Sequence, residues 1–218
     1  IEESGQDLQL GGETQEITVM FADIRGFAPL SETMPATDLV ELLNKLFTAL
    51  GKDILAHSGT IDKYIGDSIM AFWNAPVRVE NHPLHCANAA LAMRISLRHF
   101  NAVRNKRHQV PVGIAIGCAT GQACVGNIGS QNRFNYTAIG EVVNVASRIE
   151  TACRHLAYDV VVSEAVAQAS RDQLALLQGG SVTLKGVNMR ENLFLVVGDS
   201  ETRQSESFQK LQRCHSDL

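Results

Sequence analysis

The stretch Thr60-Ile61-Asp62-Lys63-Tyr64-Ile65-Gly66-Asp67-Ser68-Ile69-Met70-Ala71-Phe72-Trp73 decides the fold. Thr60–Ile65 and Ser68–Trp73 are strand-like runs rich in β-branched and aromatic residues, with Gly66-Asp67 between them. Such a break predicts a hairpin, although Gly-Asp forms this turn less readily than Asp-Gly. Trp73, the only tryptophan, follows the hairpin and is expected in the core. Upstream, Asp38–His57 predicts an amphipathic helix, with Leu39, Leu42, Leu43, Leu46, Phe47, Leu50 and Ile54 on one face. Pro35 marks its start and Gly59 its C-terminal cap. Before it, Glu16–Ile24 reads as a strand around the buried run Val19, Met20 and Phe21. Downstream, Pro83–Asn105 reads as a second long helix, and Val110–Ala119 and Gln122–Ile128 as strands broken by Gly121.

The order strand, helix, strand, strand, helix, strand is that of an α+β, ferredoxin-like βαββαβ sandwich core. An additional C-terminal α/β segment follows: helices over Gly140–Arg154 and Glu164–Ala169, and strands over Asp159–Val162, Val182–Leu184 and Asn192–Val197. Residues 1–15 read as a polar linker, 16–198 as one domain, and the serine-containing segment from Asp199 to Leu218 as a mobile tail.

Composition narrows the function classes. The chain has 218 residues, 45% of them apolar, which is enough for a core without metal or disulfide staples. A formal charge of −4 gives no basic excess for wrapping nucleic acid, so no nucleic-acid partner is expected. The five cysteines, Cys86, Cys118, Cys124, Cys153 and Cys214, are odd in number and contain no CxxC pair. That excludes a disulfide framework or zinc knuckle and points to a reducing compartment. No signal peptide occupies Ile1–Gly12, and the densest apolar stretch, Val112–Ala119, is far shorter than the ~20 residues of a membrane helix. A soluble, cytoplasmic domain is expected, and the initial Ile suggests a piece of a longer protein.

Asp23 ends the first strand and Asp67 sits in the hairpin turn. Alone, each reads as a turn former or cap. Two carboxylates at the ends of neighbouring strands, however, suit a hard divalent cation. Gly26, in Phe21-Ala22-Asp23-Ile24-Arg25-Gly26-Phe27, would let a phosphate approach the backbone. A second cluster, Tyr136-Thr137-Ala138-Ile139-Gly140-Glu141-Val142-Val143-Asn144-Val145-Ala146-Ser147-Arg148, sets Asn144 and Arg148 four apart on one helix face, with Val142, Val145 and Ile149 on the buried face. His82, His85, His99 and His108 form no clear ligand set and read as surface or core.

The Phe21–Phe27 string, Asp62-Lys63-Tyr64-Ile65-Gly66-Asp67 and Val143-Asn144-Val145-Ala146-Ser147-Arg148 resemble a class III nucleotidyl cyclase catalytic domain, as do Gly126-Asn127-Ile128-Gly129 and Lys185-Gly186. The Gly59–Pro76 run is similar to bacterial receptor-type cyclases, which implies a parent anchored in a membrane with this domain on the cytoplasmic side. The resemblance implies conversion of a nucleoside triphosphate to a 3′,5′-cyclic monophosphate and pyrophosphate. It implies two Mg²⁺ or Mn²⁺ ions per active site, held by Asp23 and Asp67 with help from the Ile24 carbonyl, and substrate contacts from Gly26 and Phe27. It implies a head-to-tail homodimer in which the partner copy supplies Lys63, Thr137, Asn144 and Arg148. Asn144 would orient the ribose, Arg148 would meet charge developing on the phosphates, and Lys185 would contact the terminal phosphates. Ala28 stands where the family often has Thr, and Glu141 where Asp is common.

Base choice follows from donors and acceptors. Adenine offers a donor at N6 and an acceptor at N1, and guanine the reverse. Lys63, four residues before Asp67, has donors only, which suits adenine N1; similar guanylyl cyclases carry Glu there. Thr137 stands where many adenylyl cyclases have Asp and guanylyl cyclases often Cys; its hydroxyl can accept but can also donate. The resemblance therefore implies an adenylate cyclase acting on ATP. The competing readings are a guanylyl cyclase, a non-catalytic nucleotide-sensing or dimerisation module, and another two-metal phosphoryl-transfer enzyme.

Overall fold

Alternation along the first strand sets up two layers. In β1 (Gly11–Arg25), Met20, Ala22 and Ile24 enter one buried cluster and Ile17 and Val19 another. A strand covered on both faces reads as nearly continuous apolar sequence, which is why this run carries little polar alternation. The computed structural model, which describes residues 10–183 and 190–216, shows what covers each face.

After β1 come α1 (Phe27–Thr33), α2 (Ala36–Ala56), the hairpin β2 (Thr60–Ile65) and β3 (Ser68–Trp73), α3 (His82–Lys106) and β4 (Gly113–Ser130). β5 (Arg133–Ile139), α4 (Glu141–Leu156), β6 (Val160–Ser163), α5 (Glu164–Ser170), β7 (Ala175–Thr183), β8 (Arg190–Gly198), α6 (Ser200–Gln204) and α7 (Glu206–Ser216) complete the order. The strands form one sheet, β2-β3-β1-β4-β6-β8-β7, with β5 paired to β4 off that path. Its first four strands, with α2 and α3, have the ferredoxin-like βαββαβ arrangement. α2, α3 and α5 contribute Leu46, Leu50, Met93 and Val166 to one face; α4 contributes Val142, Ala146, Ile149 and Cys153 to the other. α4 lies directly on β4: a Cβ at Gly117 would fall 2.2 Å from the Glu150 nitrogen and 2.5 Å from the Ala146 oxygen.

The hairpin matches its expected span, and Trp73 is fully buried, its indole donating to the His57 carbonyl at 2.8 Å. Elsewhere the structure corrects the sequence reading. Gly11–Gln15, expected as linker, begins β1 and pairs with β4 from Gly11↔Asn127 to Gln15↔Ala123. Its side chains are mostly exposed, so it carries no apolar signal. Gly121 does not break a strand: β4 runs through it, paired with Ile17. β5 and α1 are additions with no apolar periodicity in the sequence, because β5 is mostly exposed and α1 buries no residue fully. β7 begins at Ala175, upstream of the expected Val182. The expected mobile tail forms two helices, Ser200–Gln204 and Glu206–Ser216, with Ser205 extended between them. Asp199 caps α6 through the Thr202 nitrogen at 2.9 Å, and Phe208 of α7 is buried against Ala175 and Leu177.

Candidate active site

The end of β1 and the hairpin turn bring the two acids together. Asp23 lies opposite Ser68 in the β1–β3 register, and the Ser68 hydroxyl donates to Asp23 Oδ1 at 2.5 Å. Asp23 is buried, at 8% exposure. Asp67 follows Gly66, whose φ of 62° forms the turn in the left-handed region. Burial, and then the nearby negative charge of Asp23, push the Asp67 carboxyl above its usual range, offset in part by a backbone N–H and by Arg154. Asp67 therefore senses the charge of Asp23. Ile24 is buried in the core, so only its main-chain oxygen can serve the site. Gly26 takes φ 79°, which turns the chain into α1, and the half-buried Phe27 packs against the core.

Two residues not anticipated from sequence face these acids from α4. Arg154 Nη2 donates to Asp23 Oδ2 at 3.0 Å. Glu150 is buried, its Oε1 has no hydrogen-bond partner, and burial followed by Asp23 pushes its carboxyl up. Arg25 fastens the arrangement: it donates to the Cys153 carbonyl at 3.0 Å and to the Tyr158 carbonyl, and pairs with Asp159 at 3.2 Å. A cation on the last carbonyls of a helix is favourable, and here it holds the C-terminal end of α4 on β1.

Among the described residues, no group of three or more His, Cys, Asp or Glu side chains is arranged to hold a metal ion. The donor set is thus a carboxylate pair plus a carbonyl. That fits Mg²⁺-type sites, where one or two carboxylates share the ion with substrate phosphates and water. The charge of Asp23 acting on Asp67, with a guanidinium resting on Asp23, marks a place that favours positive charge.

A third cluster joins β2 to β5. Lys63 Nζ donates to Thr137 Oγ1 at 3.2 Å and pairs with Asp62 Oδ1 at 3.3 Å. The Thr137 hydroxyl donates to Asp62 Oδ2 at 2.5 Å. Thr137 is buried at 8% exposure, and the Asp62 side chain is fully buried. Lys63 and Thr137 are brought together as the sequence implied; Asp62 is an addition.

Asn144 and Arg148 share a face of α4, Asn144 exposed and Arg148 half-buried with Nη1 buried and unpartnered by any hydrogen bond. At 3.6 residues per turn, that pair and the Glu150/Arg154 pair are centred about 120° apart on the helix. Arg154 of the second pair donates to the chain's own Asp23, and Asn144 and Arg148 lie on a different side of the helix. Val145 is half-buried, and Ala146 rather than Val145 fills the helix's buried stripe with Val142 and Ile149. Lys185 lies outside the described residues. A cavity of about 1160 Å³ bordered by α5, β7 and α7 is lined by none of these residues; the chemistry, not the volume, marks the site.

Residues 11–198 match the family model of the adenylate and guanylate cyclase catalytic domain. The chain belongs to that family. Cyclase domains of this family are lyases. This cyclase domain is 35% identical over 184 residues to "Adenylate cyclase 1" of Rhizobium meliloti, covering 84% of this chain and 28% of that protein. The chain therefore spans little more than a quarter of that relative. Among solved structures it is similar to the guanylyl cyclase Cya2, with a TM-score of 0.79 at 30% identity, covering 89% of this chain and 98% of that one. The adenylyl cyclase CyaB from P. aeruginosa matches at 0.76 and 31% identity, covering 86% and 96%. No helix among the described residues is long and apolar enough to cross a membrane.

Proposed function

We propose that this cyclase domain is an adenylate cyclase that converts ATP to 3′,5′-cyclic AMP and pyrophosphate at sites shared across a head-to-tail homodimer. The observation that carries the reading is the Lys63 ammonium beside the Thr137 hydroxyl, 3.2 Å apart. A donor-only group next to an oxygen acceptor matches adenine N1 and N6 and mismatches guanine. In the cyclisation, the bond from the ribose 3′ oxygen to the α-phosphorus forms, the bond to the pyrophosphate oxygen breaks, and the 3′-hydroxyl proton leaves to water or to the departing pyrophosphate. Arg148 meets the charge that grows on the α-phosphate and leaving group; its unpartnered Nη1 supports that role. Asn144 holds the ribose so that the 3′ oxygen faces phosphorus. Lys185 is assigned to the terminal phosphates, and the main chain at Gly26 and Phe27 to the phosphates beside the acids.

Asp23, Asp67 and the Ile24 carbonyl would hold two Mg²⁺ or Mn²⁺ ions, which when bound lower the pKa of a coordinated hydroxyl and neutralise phosphate charge. The division of α4 supports sharing between copies: Glu150 and Arg154 serve the acids of their own chain, and Asn144 and Arg148 are left for the partner's. A cytoplasmic location fits an ATP-consuming output domain. The test offers ATP and GTP separately to the purified domain with Mg²⁺ or Mn²⁺ at several protein concentrations. Cyclic AMP in excess, with turnover per chain rising with concentration, is expected. The likeness to Cya2 makes GTP the competing substrate, and cyclic GMP in excess would overturn the ATP reading. Nucleotide binding without product would favour a non-catalytic module.

A further inference from the structure

We propose that Asp62 sets the purine preference by fixing the direction of the Thr137 hydroxyl; the inference rests on the ATP reading above. The pairing of β2 with β3 steps from Ile61↔Ala71 to Lys63↔Met70, so Asp62 is the extra residue of a bulge. In a regular strand, adjacent side chains point to opposite faces, so Asp62 and Lys63 would part. A bulge re-aims side chains, and here both reach Thr137, on a strand more than seventy residues further along.

The consequence lies in hydrogen-bond bookkeeping. A carboxylate only accepts, so the Thr137 proton is committed to Asp62 Oδ2, 2.5 Å away. Lys63 only donates, and its bond at 3.2 Å occupies one Thr137 lone pair. One lone pair remains, and Thr137 can do nothing toward a ligand but accept. The adenine N6 amino group satisfies it; the guanine O6 carbonyl cannot. An unrestrained threonine would rotate to suit either base. Asp62, with no exposed side-chain surface, does not touch the base and acts through Thr137 as a positioning residue.

The Asp62→Asn variant tests this with little change of shape. Its carbonyl would turn to Lys63, leaving the amide N–H₂ toward Thr137. That reverses the hydroxyl and lets it donate to O6. Asp62→Ala frees the hydroxyl without reversing it. The ratio of kcat/KM for ATP over GTP is expected to fall about tenfold in Asp62→Asn and by no more than that in Asp62→Ala. In a Thr137→Val background, Asp62→Asn should leave the ratio unchanged. If turnover is lost in a variant, competition of nonhydrolysable ATP and GTP analogues for a fluorescent nucleotide reads the same preference. A purely structural role would lower both substrates together, so a ratio held within about twofold in both single variants overturns the proposal. So does a ratio that still changes in the Thr137→Val background. A wild-type domain with no ATP preference overturns the ATP reading itself, and is recognised before any variant is compared.

Discussion

The Arg154 guanidinium lies on the Asp23 carboxylate, Nη2 3.0 Å from Oδ2, with Arg154 63% and Asp23 11% exposed at their side chains. A fixed cation on a carboxylate competes with any other cation for the same oxygens. Replacing it with Arg154→Gln should therefore tighten Mn²⁺ binding by the domain in the absence of nucleotide. The exposed side chain limits the gain to a few-fold, about the worth of a surface ion pair. Free Mn²⁺ measured by electron paramagnetic resonance during titration checks it; weaker binding would show that Arg154 supports the site.

Lys63 carries most of the base reading because it has no acceptor. Lys63→Glu replaces the donor facing N1 with an acceptor. The kcat/KM for ATP is expected to fall about 10–100-fold and the GTP value to rise. Separate chromatographic yields of cyclic AMP and cyclic GMP decide it, and an unchanged ATP preference would dismiss the assignment.

Gly117 is needed because α4 crosses β4 there, with the Glu150 nitrogen 2.2 Å from where a Cβ would stand. That nitrogen and the Ala146 oxygen, 2.5 Å away, are backbone atoms and not flexible side-chain ends. Gly117→Ala must push α4 outward, at a cost of about 1–3 kcal/mol in urea unfolding. Because the same helix carries Asn144 and Arg148, turnover should fall further than stability alone explains. Activity at wild-type level in a folded variant would separate the helix position from catalysis.

His82 is buried beside Thr18, whose hydroxyl oxygen lies 2.7 Å from Nδ1, and 3.7 Å from Glu16. Burial holds its imidazole below the ordinary value of 6.5, against the pull of Glu16. The unfolded chain therefore binds this proton more readily than the folded one. The stability from neutral His82 is fully present above about pH 6.5 and is lost as pH falls through the window below it. The melting temperature should drop between pH 7.5 and 5.5 more steeply in the wild type than in His82→Asn, where this titration is gone. Parallel curves for the two proteins would refute the assignment.

These residues also show where sequence reading reaches its limit. The β2–β3 hairpin and the two long helices were legible because apolar periodicity and turn residues are local signals. Asp23, Asp67, Lys63, Asn144 and Arg148 are picked out by short strings that resemble the cyclase family. Asp62 was hidden because a bulge, not the chemistry of its neighbours, turns it toward Thr137. Glu150 and Arg154, four apart on α4, have the spacing of a surface ion pair, and only the packing of α4 on β4 turns them to Asp23. Gly11–Gln15 carries no such local signal because its pairing uses backbone groups and leaves its side chains largely in water.

The central claim is that one copy supplies Asp23 and Asp67 while another supplies Lys63, Thr137, Asn144 and Arg148. Mixing Asp23→Ala protein with Arg148→Ala protein tests it most directly. Each should be nearly inactive alone, since loss of a charge-stabilising group costs on the order of 10²–10³ in turnover. The mixture should regain part of the wild-type rate, because one of the two sites in a mixed dimer keeps both residues. Verified mixed dimers with no recovered cyclic AMP synthesis would contradict the shared site.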